Sequence, residues 1–404
     1  MSLRQPRFDQ SGSGACAYPF VQAFALRYAG KYTKICVVLH AVSSASLPGR
    51  CLMATNNHQT YVYVGLAGEG QYMAEGGLYR YAESTGEWQS MTQGLPPTPQ
   101  VRALLIHPDN PAVLYAGTQC GPYRSDDRGE HWEALEAPRE GRDVWSLACH
   151  PNNPEVLYAG YEPCAIYRSE DGGAHWHKMH TDNVVFPHIT TYMHPVCKRV
   201  ISIAADPSNP SDMYAAIEVG GLLGSRDGGE SWMSLLDGPY VRNNTLDLHG
   251  VQVSAAAPGI VYIITQVAMF RGRDHGRHWE HIQIDEMFPG GSYCRGLLVA
   301  PNDPKSIYLA AGAGGGGAPA GTQEAGALFR SCDTGETWER VDIGDTPPSR
   351  MAQIAIDRAT PERVYCCAQR GQVYMSHDSG QTWQKTQVPV EMSRSRHIYP
   401  MVCG

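Results

Sequence analysis

Short apolar runs separated by turn residues recur along most of the chain, and they predict strands rather than helices. Arg102-Ala-Leu-Leu-Ile-His107, Trp145 to His150, Ile201 to Asp206 and Arg295 to Ala300 each lead into a turn of the -HPxNP- kind. A second run follows, as in Val113-Leu-Tyr-Ala-Gly117 and Val156-Leu-Tyr-Ala-Gly160, and a third, Pro122-Tyr-Arg-Ser125, precedes a polar turn. A fourth leaves after a tryptophan. The pattern predicts repeating units of four strands, A to D. No apolar run approaches the length of a transmembrane helix.

The polar turn between C and D is the most regular feature. It reads Ser-x-Asp-x-Gly-x-x-Trp at Ser125–Trp132, Ser169–Trp176, Ser225–Trp232, Ser331–Trp338 and Ser376–Trp383. Gly272–Trp279 lacks only the serine, and Tyr81–Trp88 is a worn copy. Seven of the eight tryptophans therefore mark one unit, with steps of 44, 44, 56, 47, 59 and 45 residues. Such a period, with four strands per unit, predicts an all-β fold: a seven-bladed β-propeller of four-stranded antiparallel blades. Ser and Asp would hold the turn through backbone amides, Gly would supply positive φ, and Trp would pack between blades.

Loop lengths distinguish the two faces. From the last A residue to the B-strand tyrosine the count is eight in six units, from Thr55–Tyr63 to Asp357–Tyr365, with Ala257–Tyr262 the shorter exception. Length variation falls instead in B–C and D–A: Gly65–Gly77, Gly312–Gly326, His177–Arg199 and Leu236–Gly250. A uniform face reads as scaffold and a variable face as function. Residues 1–47 fit no repeat and read as an N-terminal extension or extra strand, leaving 48–404 for the propeller. Either Arg50–Thr55 or the C-terminal run Ser395–Cys403 could supply strand A of the first blade; closing the ring removes sheet edges, which favours a part for the C-terminal run.

Composition narrows the function. A net charge of -8 and the absence of a basic run argue against nucleic acid. Twelve cysteines without a C-x-x-C pair suggest reduced thiols and a cytoplasmic protein with no membrane partner. Lys31–Ser46 begins too late for a signal peptide and is interrupted by His40. The glycine run Gly314–Gly317 lacks the Gly-Lys-Ser/Thr of a phosphate loop, so no nucleotide cofactor is expected.

The variable face collects the candidate chemistry. The long D–A connection carries His188 and His194, and the next adds Asp247 and His249. Glu162 and Glu218 open two B–C loops toward the same mouth. These imidazoles and carboxylates could act as acid/base groups, and His188, His194 and His249 could bind one divalent metal ion, though a hydrated channel lining is the plainer reading of the histidines. Arg102, Arg199 and Arg295, with Tyr293 and Trp145, are candidate substrate-binding residues; the arginines suit a carboxylate-bearing ligand, or else pair with Glu162, Glu218 or Asp143. His107 and His150 end A strands on the scaffold face and read as structural.

The C–D motif resembles the Asp-box, or BNR, repeat of sialidase-like propellers, over roughly residues 50–385. The phrases VFPHITTYMHPV, LDLHG and YCRGLLVAP look similar to bacterial single-propeller BNR-like repeat proteins. The resemblance implies the fold; no Arg-Ile-Pro motif accompanies it, so sialidase chemistry is not implied. The repeat wording around LYAGT…YRSDDRGEHW resembles xyloglucan-active hydrolases. Three functions follow as expectations. The first is an enzyme, a hydrolase or lyase, acting on a small polar or anionic molecule at the mouth. The second is a non-catalytic propeller docking a peptide or protein. The third is a glycoside hydrolase, for which Trp145 alone is free of the boxes to stack on sugar.

Overall fold

Each box turn is a closed hydrogen-bonded unit, and five repeat it almost to the tenth of an ångström. In the first, the Gly129 N–H donates to Ser125 Oγ at 2.8 Å, Ser125 Oγ–H donates to Asp127 Oδ1 at 2.8 Å, and the His131 N–H donates to the same carboxylate at 2.9 Å. The glycine holds φ near +87°, as Gly173, Gly229, Gly335 and Gly380 do at their own positions. Blade 5 lacks the serine because the Trp279 ring lies over Gly272, where an added Cβ would stand 2.8 Å from the indole.

The structure is a computed structural model describing residues 59–68, 76–139, 141–181, 184, 186, 198–235, 246–284, 288, 292–313, 325–392 and 396–404. All of these belong to the second of the chain's two units, Asn57–Gly404, the first being Met1–Asn56. The expected extension 1–47 and the candidate strand Arg50–Thr55 lie outside the described residues. Among the described residues the architecture is entirely β: twenty-eight strands in seven antiparallel four-stranded sheets.

The first strands of six blades are β4 (Ala103–Ile106), β8 (Val144–His150), β12 (Arg199–Asp206), β16 (Leu248–Val253), β20 (Ser292–Ala300) and β24 (Met351–Ile356). The seventh inner strand is β28 (Arg396–Cys403), which pairs antiparallel with β1 (Tyr61–Gly68) and completes the blade that begins the ring. Neighbouring inner strands touch one another around the full circle. The C-terminal run thus closes the propeller, and the inner sheet edge finds a partner.

Buried tyrosines on the second strands tie the blades together. Tyr63, Tyr158 and Tyr262, each fully buried, donate to Arg128 O, Gly228 O and Thr334 O of the following blade's box at 3.1, 3.2 and 2.6 Å. Arg80, Arg226 and Arg330 reach the same carbonyl position of the next box at 3.0, 2.7 and 3.1 Å. Each such bond is worth about 0.5–1.5 kcal/mol, so the scaffold face works as a ring of small, repeated couplings. His107 and His150 sit in this scaffold, their Nδ1 atoms accepting from Asp109 and Asn152 N–H at 3.2 Å.

One register differs from expectation. Inner strand β16 ends at Val253, so the residue equivalent to His107 and Asp357 is Ser254, not Ala257. Counted from Ser254, Tyr262 also falls at eight, and the apparent exception disappears.

Candidate active site at the channel mouth

The turn residue ending each inner strand fixes a common ruler. It is His107, His150, Asp206, Ser254, Ala300 and Asp357, and in the closing blade Gly404, whose N–H donates to Tyr61 O as Asp357 N–H does to Arg363 O. Six positions before it stand Val101, Val144, Val200, Leu248, Cys294, Met351 and Ile398, all essentially inaccessible. Seven before it stand Gln100, Asp143, Arg199, Asp247, Tyr293, Arg350 and His397; five before it stand Arg102, Trp145, Ile201, His249, Arg295, Ala352 and Tyr399. The alternation follows from strand geometry, where neighbours point to opposite sides. The apolar residue packs between blades, and the two flanking it face the channel mouth.

A backbone irregularity reinforces this. Register shifts skip Trp145, Ile201, His249, Arg295 and Ala352 between their paired neighbours, and Tyr399 falls in the corresponding gap of β28. A β-bulge re-aims the unpaired residue's side chain, and here it recurs in six of the seven inner strands. Inner strands must also approach closely: an added Cβ on Gly296 would stand 2.6 Å from Ala352 O of the next blade.

The side chains so presented form one connected cluster. The Trp145 ring receives a guanidinium from each neighbouring blade, Arg102 at 4.7 Å and Arg199 at 4.3 Å, and meets Tyr399 edge-on at 5.8 Å. Tyr399 stacks with His397 at 5.0 Å and carries Arg295 at 5.5 Å. Tyr293 carries Arg350 at 4.0 Å and meets the His249 ring at 4.8 Å. Ile201 packs against Trp145 and Tyr399. Trp145 is only 7% exposed, so it serves as a support for the arginines and not as the open sugar platform expected of it. Nε and Nη1 of Arg102 and Nε1 of Trp145 find no acceptor among the described residues.

Carboxylates gather on one side. Arg199 Nε and Nη1 donate to Glu162 Oε2 and Glu218 Oε2 at 2.8 and 2.7 Å, and Arg102 contacts Asp143 at 3.2 Å. The arginines on this side are therefore paired, one of the two readings the sequence left open. Burial opposes the Arg199 charge, but Glu218 and then Glu162 outweigh it and its pKa is raised. One guanidinium spanning both carboxylates keeps them within about 8 Å of each other. Asp143 behaves differently. Burial pushes its carboxyl above the ordinary range, Arg102 opposes that and Glu162 adds to it. Asp143, its carboxyl raised by burial, thus stands in the same cluster as Glu162 and Glu218, which pair with Arg199.

The expected metal trio is not assembled among the described residues. His188 and His194 lie outside them, and no group of three potential ligands occurs among the rest. His249 is buried, its Nδ1–H donates to Cys294 O at 2.7 Å, and its Nε2 stands 3.9 Å from Asp247 Oδ2. That tautomer leaves Nε2 as the ligating atom, so His249 and Asp247 supply two donors suited to a metal and no more. Elsewhere, an open groove of about 570 Å³ lined by Asp345, Gln372, Lys385 and Gln387 lies along the outer strands of the last blade and contains none of the mouth residues.

Of the residues expected at the mouth, Arg102, Arg199, Glu162, Glu218, His249, Tyr293, Arg295 and Trp145 are linked to one another by these ion pairs and ring contacts. Sequence reasoning read Asp143 only as a partner for arginine, and missed Ile201 and Tyr399 as linkers between the two halves. The seven-and-five spacing from the turn residue would have found all three.

A seven-bladed all-β propeller with charged and aromatic side chains gathered on its inner strands is the class that the fold and site define. Residues 326–402 match the family model described as Sortilin-Vps10, "Sortilin, neurotensin receptor 3". The xyloglucanase Xgh74A of Acetivibrio thermocellus is 28% identical over 152 residues, 33% of this chain and 16% of that protein. A xyloglucanase of a Paenibacillus species is 27% identical over 165 residues, 37% of this chain and 15% of that one. The chain therefore matches only a small part of the length of these curated relatives. The crystal structure of the GH74 xyloglucanase from Xanthomonas campestris superposes with a TM-score of 0.57 at 19% identity, over 76% of this chain and 50% of that one. This last likeness concerns the fold alone.

Proposed function

We propose that the chain is an Asp-box propeller with glycoside hydrolase activity at the channel mouth. The observation carrying this reading is the cluster of Asp143, Glu162 and Glu218. Glycoside hydrolysis needs a protonated carboxyl to assist the leaving oxygen and an ionised one to attack the sugar or activate water, with separations of about 5–10 Å. Asp143, raised by burial, is the candidate acid. Glu218, 12% exposed and held by Arg199, is the candidate base or nucleophile, with Glu162 beside it. The local sequence likeness to xyloglucanases supports a carbohydrate over other small polar substrates.

In this mechanism the sugar enters along the aromatic and cationic rim, and Glu218 stands paired with Arg199. Asp143 gives its proton to the departing oxygen as a water deprotonated by Glu218 bonds to the anomeric carbon, and proton exchange with solvent then restores both carboxyls. If His249 and Asp247 hold a divalent ion together with residues of the long connection, it would polarise a substrate oxygen; no step above requires it. The test is release of reducing ends from a panel of oligosaccharides. Asp143→Asn and Glu218→Gln should each lower kcat by at least about a hundredfold, measured at a temperature where circular dichroism shows the variant still folded. Activity surviving both changes would refute the assignment.

A further inference from the structure

Trp145 carries two charges that belong to different blades. It stands at the bulge of β8, two residues after Asp143, and both side chains face the mouth. Arg102 lies over its ring from blade 2 at 4.7 Å, and Arg199 from blade 4 at 4.3 Å. The two guanidiniums are held unequally. Arg199 donates to Glu162 and Glu218, so its fork is fixed by two carboxylates. Arg102 has one ion pair, Nη2 to Asp143 Oδ2 at 3.2 Å, and its buried Nε and Nη1 find no acceptor among the described residues. One such contact pins an atom of the fork and leaves its plane free to turn. The face of the indole supplies the missing constraint, and the attraction of a guanidinium for an aromatic face is strongest where water is excluded. Trp145 Nε1 also finds no acceptor among the described residues, so the residue acts through its ring and not through its N–H.

We infer that Trp145 is a positioning residue for the proposed acid: it holds the Arg102 guanidinium against Asp143 and so sets the charge which that carboxyl feels. Burial pushes the Asp143 carboxyl upward, and four charged groups act on it besides. Arg102 acts most strongly and opposes the rise, Glu162 adds to it, and Arg199 and Arg142 oppose it. Loss of the ring therefore has two opposite effects. Freeing Arg102 removes the main opposing charge and raises Asp143 further, whereas opening the site to water relieves the burial and lowers it. The sign of the change separates positioning from loosened packing. The role of Asp143 as acid rests on the hydrolase reading; the coupling through Trp145 rests on the contacts alone.

The test follows the titration of Asp143 by NMR in the full chain, isotopically labelled at its aspartate carboxyl carbons, with the signal assigned by its loss in Asp143→Asn. Trp145→Leu should move the midpoint upward by about one pH unit or more. Trp145→Phe keeps a ring under the guanidinium and should move it upward by less than half as much. Arg102→Met should raise it at least as far as Trp145→Leu does, and the two changes together should add little to Arg102→Met alone. A downward or absent shift in Trp145→Leu would overturn the inference, and so would full additivity of the Leu and Met changes. Where the Leu variant does not fold, Trp145→Phe decides alone, by the same sign. In an active hydrolase the alkaline limb of the pH–rate profile should move to higher pH together with the Asp143 titration. The expected titration shift without hydrolysis of any oligosaccharide would leave the positioning standing and remove the hydrolase reading. Hydrolysis with no shift in the titration would do the reverse.

Discussion

Arg199→Met offers the sharpest test of how the mouth is held together. Arg199, Glu162 and Glu218 are 16%, 22% and 12% exposed, so water screens them only partly. Methionine keeps much of the aliphatic stem beside Trp145 but leaves two carboxylates facing each other without a counter-charge. Breaking a buried pair costs about 3–5 kcal/mol, and the residual exposure here reduces that to about 2–4 kcal/mol. Roughly 1 kcal/mol of it is the lost stacking on Trp145, which does not depend on pH. The remainder does. Without Arg199 the folded-state pKa values of the glutamates rise above their unfolded value of about 4.3. A raised carboxylate pKa penalises the folded state fully at pH above it, and the penalty fades as pH falls toward the unfolded value. Urea midpoints should therefore differ most between wild type and variant at pH 7–8 and converge toward the stacking loss near pH 4–5. Arg199→Met with Glu162→Gln and Glu218→Gln should recover most of the lost stability at neutral pH. A deficit unchanged between pH 5 and pH 8, or no recovery in the triple variant, would refute the reasoning.

Three further outcomes are expected. Ser331→Ala removes the buried acceptor of the Gly335 N–H, 2.8 Å away, and should cost about 1–3 kcal/mol in chemical denaturation. The box carboxylate Asp127 is lowered to about 2: its slight burial works the other way, but the His131 amide and ring and the Ser125 hydroxyl outweigh it. Its stabilisation is present above the ordinary carboxylate range and lost as pH falls from that range through about 2, so the gap between Asp127→Asn and wild type should narrow in acid denaturation below about pH 4. Deleting residues 396–404 strips β1 of its inner partner, and the truncated chain should fail to give a cooperative thermal transition by circular dichroism.

Much of the scaffold was legible because its signals are local. The box turn is specified within eight residues, and its glycine and tryptophan have few substitutes there. The approach of Glu162, Glu218 and the arginines to one mouth was legible for a related reason: an antiparallel four-stranded blade fixes which connections share a face. Register was harder to read. The run before Ala257 looks continuous in sequence, and only the pairing of Leu248–Val253 with the next strand shows that the turn begins at Ser254. The fate of Trp145 was illegible too, since neighbours from two other blades, more than 40 residues away in either direction, cover it. Asp143 could be seen as a partner for arginine, but the burial that raises its pKa belongs to the assembled ring.

The recurrent bulge separates what the blades need from what the mouth displays. Because the backbone kink turns out whatever side chain falls at that step, tryptophan, isoleucine, histidine, arginine, alanine and tyrosine all occupy it without disturbing the strands around them. The chain therefore carries a set of interchangeable addresses on a fixed frame. New specificities can be written there by single replacements, leaving the box turns that hold the frame together untouched.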